Sequence, residues 1–252
     1  MALPRQRVAI VTGAGSEHGI GFAAARLLSA AGMRVVVTST TERIFDRVDE
    51  LRASGGEAEG VVADLRQQSG VDAVVARAQT AYGSVDVLVN NAGMTSISDR
   101  DPGAAVARWH ASLERNLTTT FLMIRAVVGG MQSAGYGRIV NVSSVSGPVA
   151  AYPGDVAYHA AKAGIVGLTR AVAIETASSG VVVNAVAPGW IDTASASDHE
   201  RAMGAATPVG RSGSSEEVAH VIAFLAADGA SYISGQLITV DGANSISEER
   251  GL

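Results

Sequence analysis

Tyr158 and Lys162 stand four residues apart in the run YHAAK, a stretch that reads as helix. On a helix that spacing brings a phenol and an ammonium to one face. A phenol ionises near pKa ~10 and a neighbouring cation favours the ionised form, so the pair is expected to exchange a proton near neutral pH. That is equipment for general acid–base catalysis. A half-buried tyrosine beside a solvated lysine on a surface helix has the same spacing, so the surrounding elements must decide between the two.

Those elements alternate along the whole chain. Apolar runs at 8–11, 34–38, 60–63, 85–89, 138–142, 181–186 and 236–240 read as seven strands, several of them near-continuous Val and Ile. Such runs suit parallel strands buried on both faces. Amphipathic or Ala-rich segments at 20–31, 43–53, 70–82, 104–131, 156–177 and 216–227 are long enough to cross over between parallel neighbours. The expected fold is a single α/β domain of the Rossmann type over 1–252, a doubly wound parallel sheet of about seven strands with helices on both faces. Only 194–213 lacks periodicity; its place after the sixth strand marks it as a substrate loop.

The first strand runs into TGAGSEHGIG and then a helix-forming segment. Glycines between a strand and a helix allow a tight turn and bring a pyrophosphate to the helix N-terminus, so Gly13, Ser16, Gly19, Ile20 and Gly21 are the candidate phosphate contacts. After the second strand, where a fold specific for NAD carries an acidic side chain for the ribose 2′-hydroxyl, stand Thr38, Ser39 and Thr40, with Arg43 beyond. Hydroxyl donors and a guanidinium without a carboxylate fit a 2′-phosphate. NADP(H) is therefore expected over NAD(H), although Glu17 and Glu42 are close enough in sequence to oppose it and NAD(H) is not excluded.

The 252 residues are 47% hydrophobic and 17% charged with a net charge of −5, a composition for one large core and a small ligand. Lys and Arg are scattered, so neither nucleic acid nor an anionic membrane is an expected partner. The chain has no cysteine, and its five histidines are isolated, which leaves no expected metal site. It starts without a signal-like segment and contains no apolar run of membrane-spanning length, so a cytoplasmic protein is expected.

Further motifs follow in order: NNAG at 90–93, NVSS at 141–144, YHAAK, and PGWIDT at 188–193. With the glycine loop, and over nearly the whole length, they resemble the classical short-chain dehydrogenase/reductase family, closest in look to bacterial 3-oxoacyl-[acyl-carrier-protein] reductases. The resemblance implies an enzyme that interconverts a ketone and a secondary alcohol by hydride transfer with a nicotinamide cofactor, and a small carbonyl or alcohol substrate. It implies that Tyr158 is the general acid, that Lys162 tunes it and bonds the nicotinamide ribose, that Ser144 polarises the carbonyl, and that Asn116 holds a relay water. It further implies that Asp64 and Leu65 meet the adenine, that Asn91, Ala92 and Gly93 line the adenosine side, and that Pro188, Gly189, Ile191 and Thr193 border the nicotinamide. Without it, Ser143, Ser144 and Ser146 are equal candidates, Pro188 and Gly189 read as a turn, and Asn116 is a poor helix former inside a helix whose apolar face carries Trp109, Leu113, Leu117 and Phe121. Catalysis or a satisfied buried amide would each explain that asparagine.

The chain departs from the family pattern at three places. Five residues separate Gly13 from Gly19 where three are usual, with Glu17 and His18 as the expected enlargement. Ser144 and Tyr158 are one residue further apart than is common, which a bulge at 152–155 would absorb. Two basic side chains that attract the acidic carrier in acyl-carrier reductases are replaced by Gly135 and Ser179, so acyl-CoA, oxo-esters, steroids and sugars remain alternative substrates. Trp190, Tyr152 and Val149 are the expected substrate-facing side chains, and the family implies a homotetramer paired through the helices around Asn116 and Tyr158. The other class of function open to this chain is an idle NADP-binding regulator.

Overall fold

Alternate residues of each strand pack to opposite sides of the sheet, as the unbroken apolar runs require. In β1 (Val8–Thr12), Ala9 and Val11 join one core cluster while Val8 and Ile10 join the other. The computed structural model describes residues 6–94 and 105–248. β2 (Arg34–Ser39), β3 (Ala58–Val62), β4 (Val87–Asn90), β5 (Gly137–Val142), β6 (Val181–Pro188) and β9 (Leu237–Val240) complete a sheet in the order β3-β2-β1-β4-β5-β6-β9. Every pairing is parallel. β2 and β3 lie on one side of β1 and β4 to β6 on the other, so the winding reverses between β1 and β4. At such a switch the loops beyond two neighbouring strand ends diverge and leave a crevice.

α1 (Ile20–Ala30), α2 (Ile44–Ala53) and α8 (Ser215–Ala226) cover one face, with Phe22, Leu28, Val48 and Ile222 in its core. α3 (Gln68–Tyr82), α5 (Thr119–Ala134) and α6 (Val156–Thr176) cover the other, with Val74, Met123, Met131 and Ala173 inside. Single-domain Rossmann architecture is what the strand pattern required. The start of the helix expected at 104 and the end of the acidic tail lie outside the described residues.

Two expectations are corrected. The helix expected over 104–131 is three segments: α4 (Ala105–Leu113), a π-helical turn (Glu114–Thr118) and α5. Asn116 is the reason. Its Nδ2 donates to the Ser112 carbonyl four residues back at 3.0 Å, taking the acceptor a regular helix reserves for the backbone. The extra residue rotates the register, so Asn116, Thr120 and Met123 are buried while Trp109 and Phe121 are 40% and 45% exposed. The stripe expected to face the core therefore faces outward in part, although Leu117 packs over Gly164 of α6.

The second correction concerns 194–213. This segment contains α7 (Asp198–Ala205), started by a capping box between Ser197 and Glu200. It is tied at both ends by the two-residue ladder of β7 (Ile191–Asp192) with β8 (Gly213–Ser214). Eight helical residues are too few for hydrophobic periodicity to stand out.

Candidate active site

β4 stops at Asn90, opposite Asn141 of β5, so Val142 lies one residue past the last position of that ladder. Its carbonyl accepts instead from Lys162 Nζ at 3.0 Å. The lysine rides on α6, whose N-cap Asp155 accepts from the Tyr158 N–H at 3.1 Å. One helical turn puts Nζ 5.6 Å from the centre of the Tyr158 ring. Ser144 is placed to act on the Tyr158 hydroxyl as a hydrogen-bond donor that lowers its pKa, and its Oγ accepts from the Ser146 N–H at 3.1 Å. Ser143 turns inward and donates to the Lys162 carbonyl at 2.8 Å. Of the three serines that the sequence leaves open, only Ser144 meets the phenol; Ser143 ties the strand end to the helix.

The electrostatics of the pair run against expectation. Burial pushes Tyr158 up to about 12, the Ser144 hydrogen bond pulls the other way, and Tyr152, Asp155 and Glu200 add smaller upward pushes. Burial brings Lys162 down to about 8. Withdrawal from water penalises the charge on each group, and it is the largest cause of both shifts. The tyrosine is thus held as a protonated donor at neutral pH, and the lysine stays charged while close to losing its proton.

Asn116 is fully buried and its amide is engaged. Nδ2 donates to the carbonyls of Met94 and Ser112 at 3.1 and 3.0 Å, and Oδ1 accepts from the Met94 N–H at 3.1 Å. It clamps the chain leaving β4 against the π turn. A Cβ on Gly93 would lie 2.6 Å from Asn116 Oδ1 and 3.5 Å from Lys162 Nζ, so only glycine lets that chain pass between the two.

The crevice at the switch point has the features a dinucleotide needs. Gly13 turns the chain at φ +67°, and a Cβ there would strike the Ala92 backbone at 2.8 Å. The Ser16–Gly19 turn leads into α1, whose N-cap Gly19 supplies no side-chain acceptor, so the first amides of Ile20 and Gly21 are open to an anion. The enlargement expected at Glu17 and His18 is an exposed tip, and the His18 carbonyl accepts from Ser215 Oγ at 2.7 Å. A Cβ on Gly15 would lie 2.9 Å from Ser39 Oγ and 3.1 Å from Arg43 Nε, so a hydroxyl and a guanidinium lean over the loop at the end of β2. Ser39 Oγ donates to the Thr41 carbonyl at 2.8 Å, and Thr40 and Arg43 are exposed. Leu65 is buried, and Asp64 is held by Arg66, which donates through Nη2 at 2.6 Å, through Nε and through its backbone N–H.

Asn91 works behind the glycine loop. Its Nδ2 donates to the carbonyls of Thr12 and Gly13, while Thr12 Oγ1 accepts from the N–H groups of Asn91 and Ala92. Thr12 was not singled out by sequence; a hydroxyl ending β1 just before the glycines was the available signal. On the far side, Pro188 ends β6, the Gly189 N–H donates to the Val240 carbonyl at 2.9 Å, Ile191 lies in β7, and Thr193 Oγ1 is 3.1 Å from Ser195 Oγ. The bulge expected at 152–155 is a turn with Gly154 at φ +108°. Gly135 and Ser179 immediately precede β5 and β6, at the opposite edge of the sheet from Tyr158 of the same chain. They are not at this chain's own pocket mouth. Among the described residues there is no metal-binding cluster and no helix long and apolar enough to cross a membrane.

Comparison with known proteins agrees with this geometry. A family model described as Enoyl-(Acyl carrier protein) reductase matches residues 13–243. The chain is 43% identical over 241 residues to cis-4-hydroxycyclohexanecarboxylate dehydrogenase of Sinomonas cyclohexanicum, covering 94% of this chain and 96% of that one. It is 36% identical over 246 residues to the 3-oxoacyl-[acyl-carrier-protein] reductase FabG of Escherichia coli (strain K12), with the same shares covered. A crystal structure of an actinorhodin polyketide ketoreductase variant with NADPH superposes with a TM-score of 0.89 at 37% identity, over 98% of this chain and 100% of that one.

Proposed function

The chain belongs to the short-chain dehydrogenase/reductase family of oxidoreductases acting on alcohol and ketone groups, and on that premise we propose that it reduces a small ketone to a secondary alcohol, reversibly, with NADP(H). The observation that carries the proposal is the buried Lys162 ammonium 5.6 Å from the centre of the Tyr158 ring, with Ser144 placed to donate toward the phenol. When bound, the nicotinamide supplies or takes the hydride. The protein supplies position, proton and charge.

In the reductive direction Ser144 and Tyr158 each donate to the carbonyl oxygen, which has a lone pair for each. As negative charge develops there, Tyr158 gives up its proton, and the phenol held protonated by burial is ready to do so at neutral pH. Lys162 has three N–H bonds, of which one goes to Val142; the others would be left for the phenolate and for the ribose of a bound cofactor. Its own proton, loosened by burial, is the one that restores the phenol. Asn116 retains a lone pair on Oδ1 for a relay water, and its main contribution is to fix Met94 and the chain at Gly93.

The amides of Ile20 and Gly21 receive the pyrophosphate, and Ser39 with Arg43 receive a 2′-phosphate. The lean of both side chains over Gly15 supports NADP(H). A cytoplasmic location and a homotetramer complete the reading. The outward Trp109 and Phe121, and the groove lined by Phe121, Val128 and Val172 between α5 and α6, support pairing through these helices.

The test is NADPH oxidation with a panel of 3-oxo esters, cyclic ketones and 3-oxoacyl thioesters. Tyr158→Phe should cut kcat by about a thousandfold and leave NADPH binding intact. A protein that binds NADPH and turns over none of these carbonyls would instead be the idle regulator. Ser39→Asp should shift the ratio of kcat/KM values toward NADH by at least about tenfold, and an unchanged ratio would count against the assignment of β2.

A further inference from the structure

Beside Tyr158, the imidazole of His159 fastens a turn to the first coil of α6. Nδ1 faces the Asp155 carbonyl at 2.6 Å and Nε2 faces the Tyr152 N–H at 3.1 Å. A carbonyl can only accept and an amide N–H can only donate, so one form of the ring satisfies both: neutral, with hydrogen on Nδ1 and a lone pair on Nε2. The ring also packs edge-on against Tyr152, with centroids 4.5 Å apart at 66°. The chain reverses between the two residues through Pro153 and Gly154, the latter at φ +108°. Nearby, a Cβ on Gly147 would collide with the His159 carbonyl, so the 146–150 loop also rests on this coil.

The fastened turn presents Tyr152, 37% exposed, next to the reacting phenol. Tyr152 lies close enough that its charge would be felt at Tyr158, and both phenols share Asp155 and Glu200 as electrostatic neighbours. No part of the catalytic reading above uses His159.

We propose that His159 is a positioning residue: as a neutral Nδ1–H imidazole it fixes the Tyr152 ring at the substrate entrance, and a second proton on Nε2 releases it. The proposal rests on the reading of Tyr158 as general acid. The titratable groups packed against the ring are the phenols of Tyr152 and Tyr158; Asp155, whose backbone carbonyl meets Nδ1, and Glu200 of α7 act on those two phenols. The Tyr152 N–H opposes a second proton, since a protonated Nε2 would point one donor at another.

Ethyl acetoacetate, a 3-oxo ester, serves as the probe. His159→Leu should raise its KM about tenfold with kcat within about twofold, because the entrance and not the proton donor is disturbed. His159→Gln, whose Oε1 replaces Nε2 as acceptor and does not titrate, should restore the KM. On acidification the wild-type KM should climb toward that of the Leu variant, while that of the Gln variant stays flat. Independently of turnover, the ring ¹⁵N shifts of the resting protein should report Nδ1–H at the higher pH, with the Tyr152 amide signal moving as the ring protonates. An Nε2–H ring, an unchanged KM in His159→Leu, or equal pH responses of wild type and His159→Gln would overturn the proposal. Full turnover in Tyr158→Phe would count against the general-acid reading alone, because the NMR signature decides the docking of Tyr152 by itself.

Discussion

The two edges of the sheet each bury a cation, and they treat it differently. At the N-terminal edge, Arg138 is 4% exposed and surrounded by partners. Nη1 donates to the carbonyls of Gly137 and Gly180, Nε donates to that of Ala227, and Nη2 lies 3.9 Å from the Asp228 carboxylate. Its guanidinium lies over the Tyr136 ring, as does that of Arg7, and the Tyr136 hydroxyl donates to Asp228 at 2.8 Å. At the C-terminal edge, Lys162 is 5% exposed and has the Val142 carbonyl as its hydrogen-bond acceptor. The difference is geometric as much as chemical. Five donors in a planar fork can be satisfied by fixed backbone oxygens, whereas an ammonium with spare N–H bonds is left available to a ligand. Buried charge that is fully paired holds a fold together, and buried charge that is underpaired is available for chemistry.

Substituting the two cations is the strongest way to break this comparison. Arg138→Met removes the guanidinium bonds to the Gly137, Gly180 and Ala227 carbonyls and should lower stability by about 3 kcal/mol in urea unfolding, without a direct effect on turnover. Lys162→Met should abolish activity and yet raise stability at pH 7 by about 1–2 kcal/mol. The shift from 10.5 to about 8 places the burial cost of the ammonium near 3 kcal/mol, offset in part by the lost bond to Val142. Losses of similar size in both variants would remove the distinction between the edges.

A pH series sharpens the same point. Between about 8 and 10.5 the unfolded chain holds a proton on Lys162 that the folded chain has released, so stability rises with pH across that window. The slope approaches about 1.4 kcal/mol per pH unit at most, and the difference between wild type and Lys162→Met isolates it from other titrations. Tyr158, raised to about 12, acts in the opposite sense, with stability falling as pH climbs from about 10 to about 12. The smallest expected effect is at the structural edge: Tyr136→Phe removes one hydrogen bond to Asp228, should cost about 1 kcal/mol, and should leave kcat unchanged.

The sheet was legible because parallel strands buried on both faces leave an unbroken apolar signature, and the six expected helical segments had enough length for their pattern to register, although that at 104–131 is broken by a π turn. The glycine loop and the YHAAK run were legible for a related reason: each chemistry is set by spacing within one turn or one helix. Asn116 shows where this stops. A misfit asparagine in a helix was visible, but that its amide would capture the Ser112 carbonyl and open a π turn depended on Met94 arriving from β4. The serines show the same limit. Ser143 and Ser144 are adjacent, and the choice between them depends on which one meets the Tyr158 hydroxyl and which the α6 backbone.

Local sequence therefore determined the strands, the crossover helices, the glycine turn after β1 and the side chains expected of an oxidoreductase acting on alcohol and ketone groups. Only the tertiary structure decided the protonation behaviour of Tyr158 and Lys162, which runs against the expectation drawn from their spacing. The spacing fixes how far apart two groups stand along one helix. How much water they lose depends on β5 and the 144–155 segment packing over that helix, and at this site loss of water governs charge more strongly than proximity does.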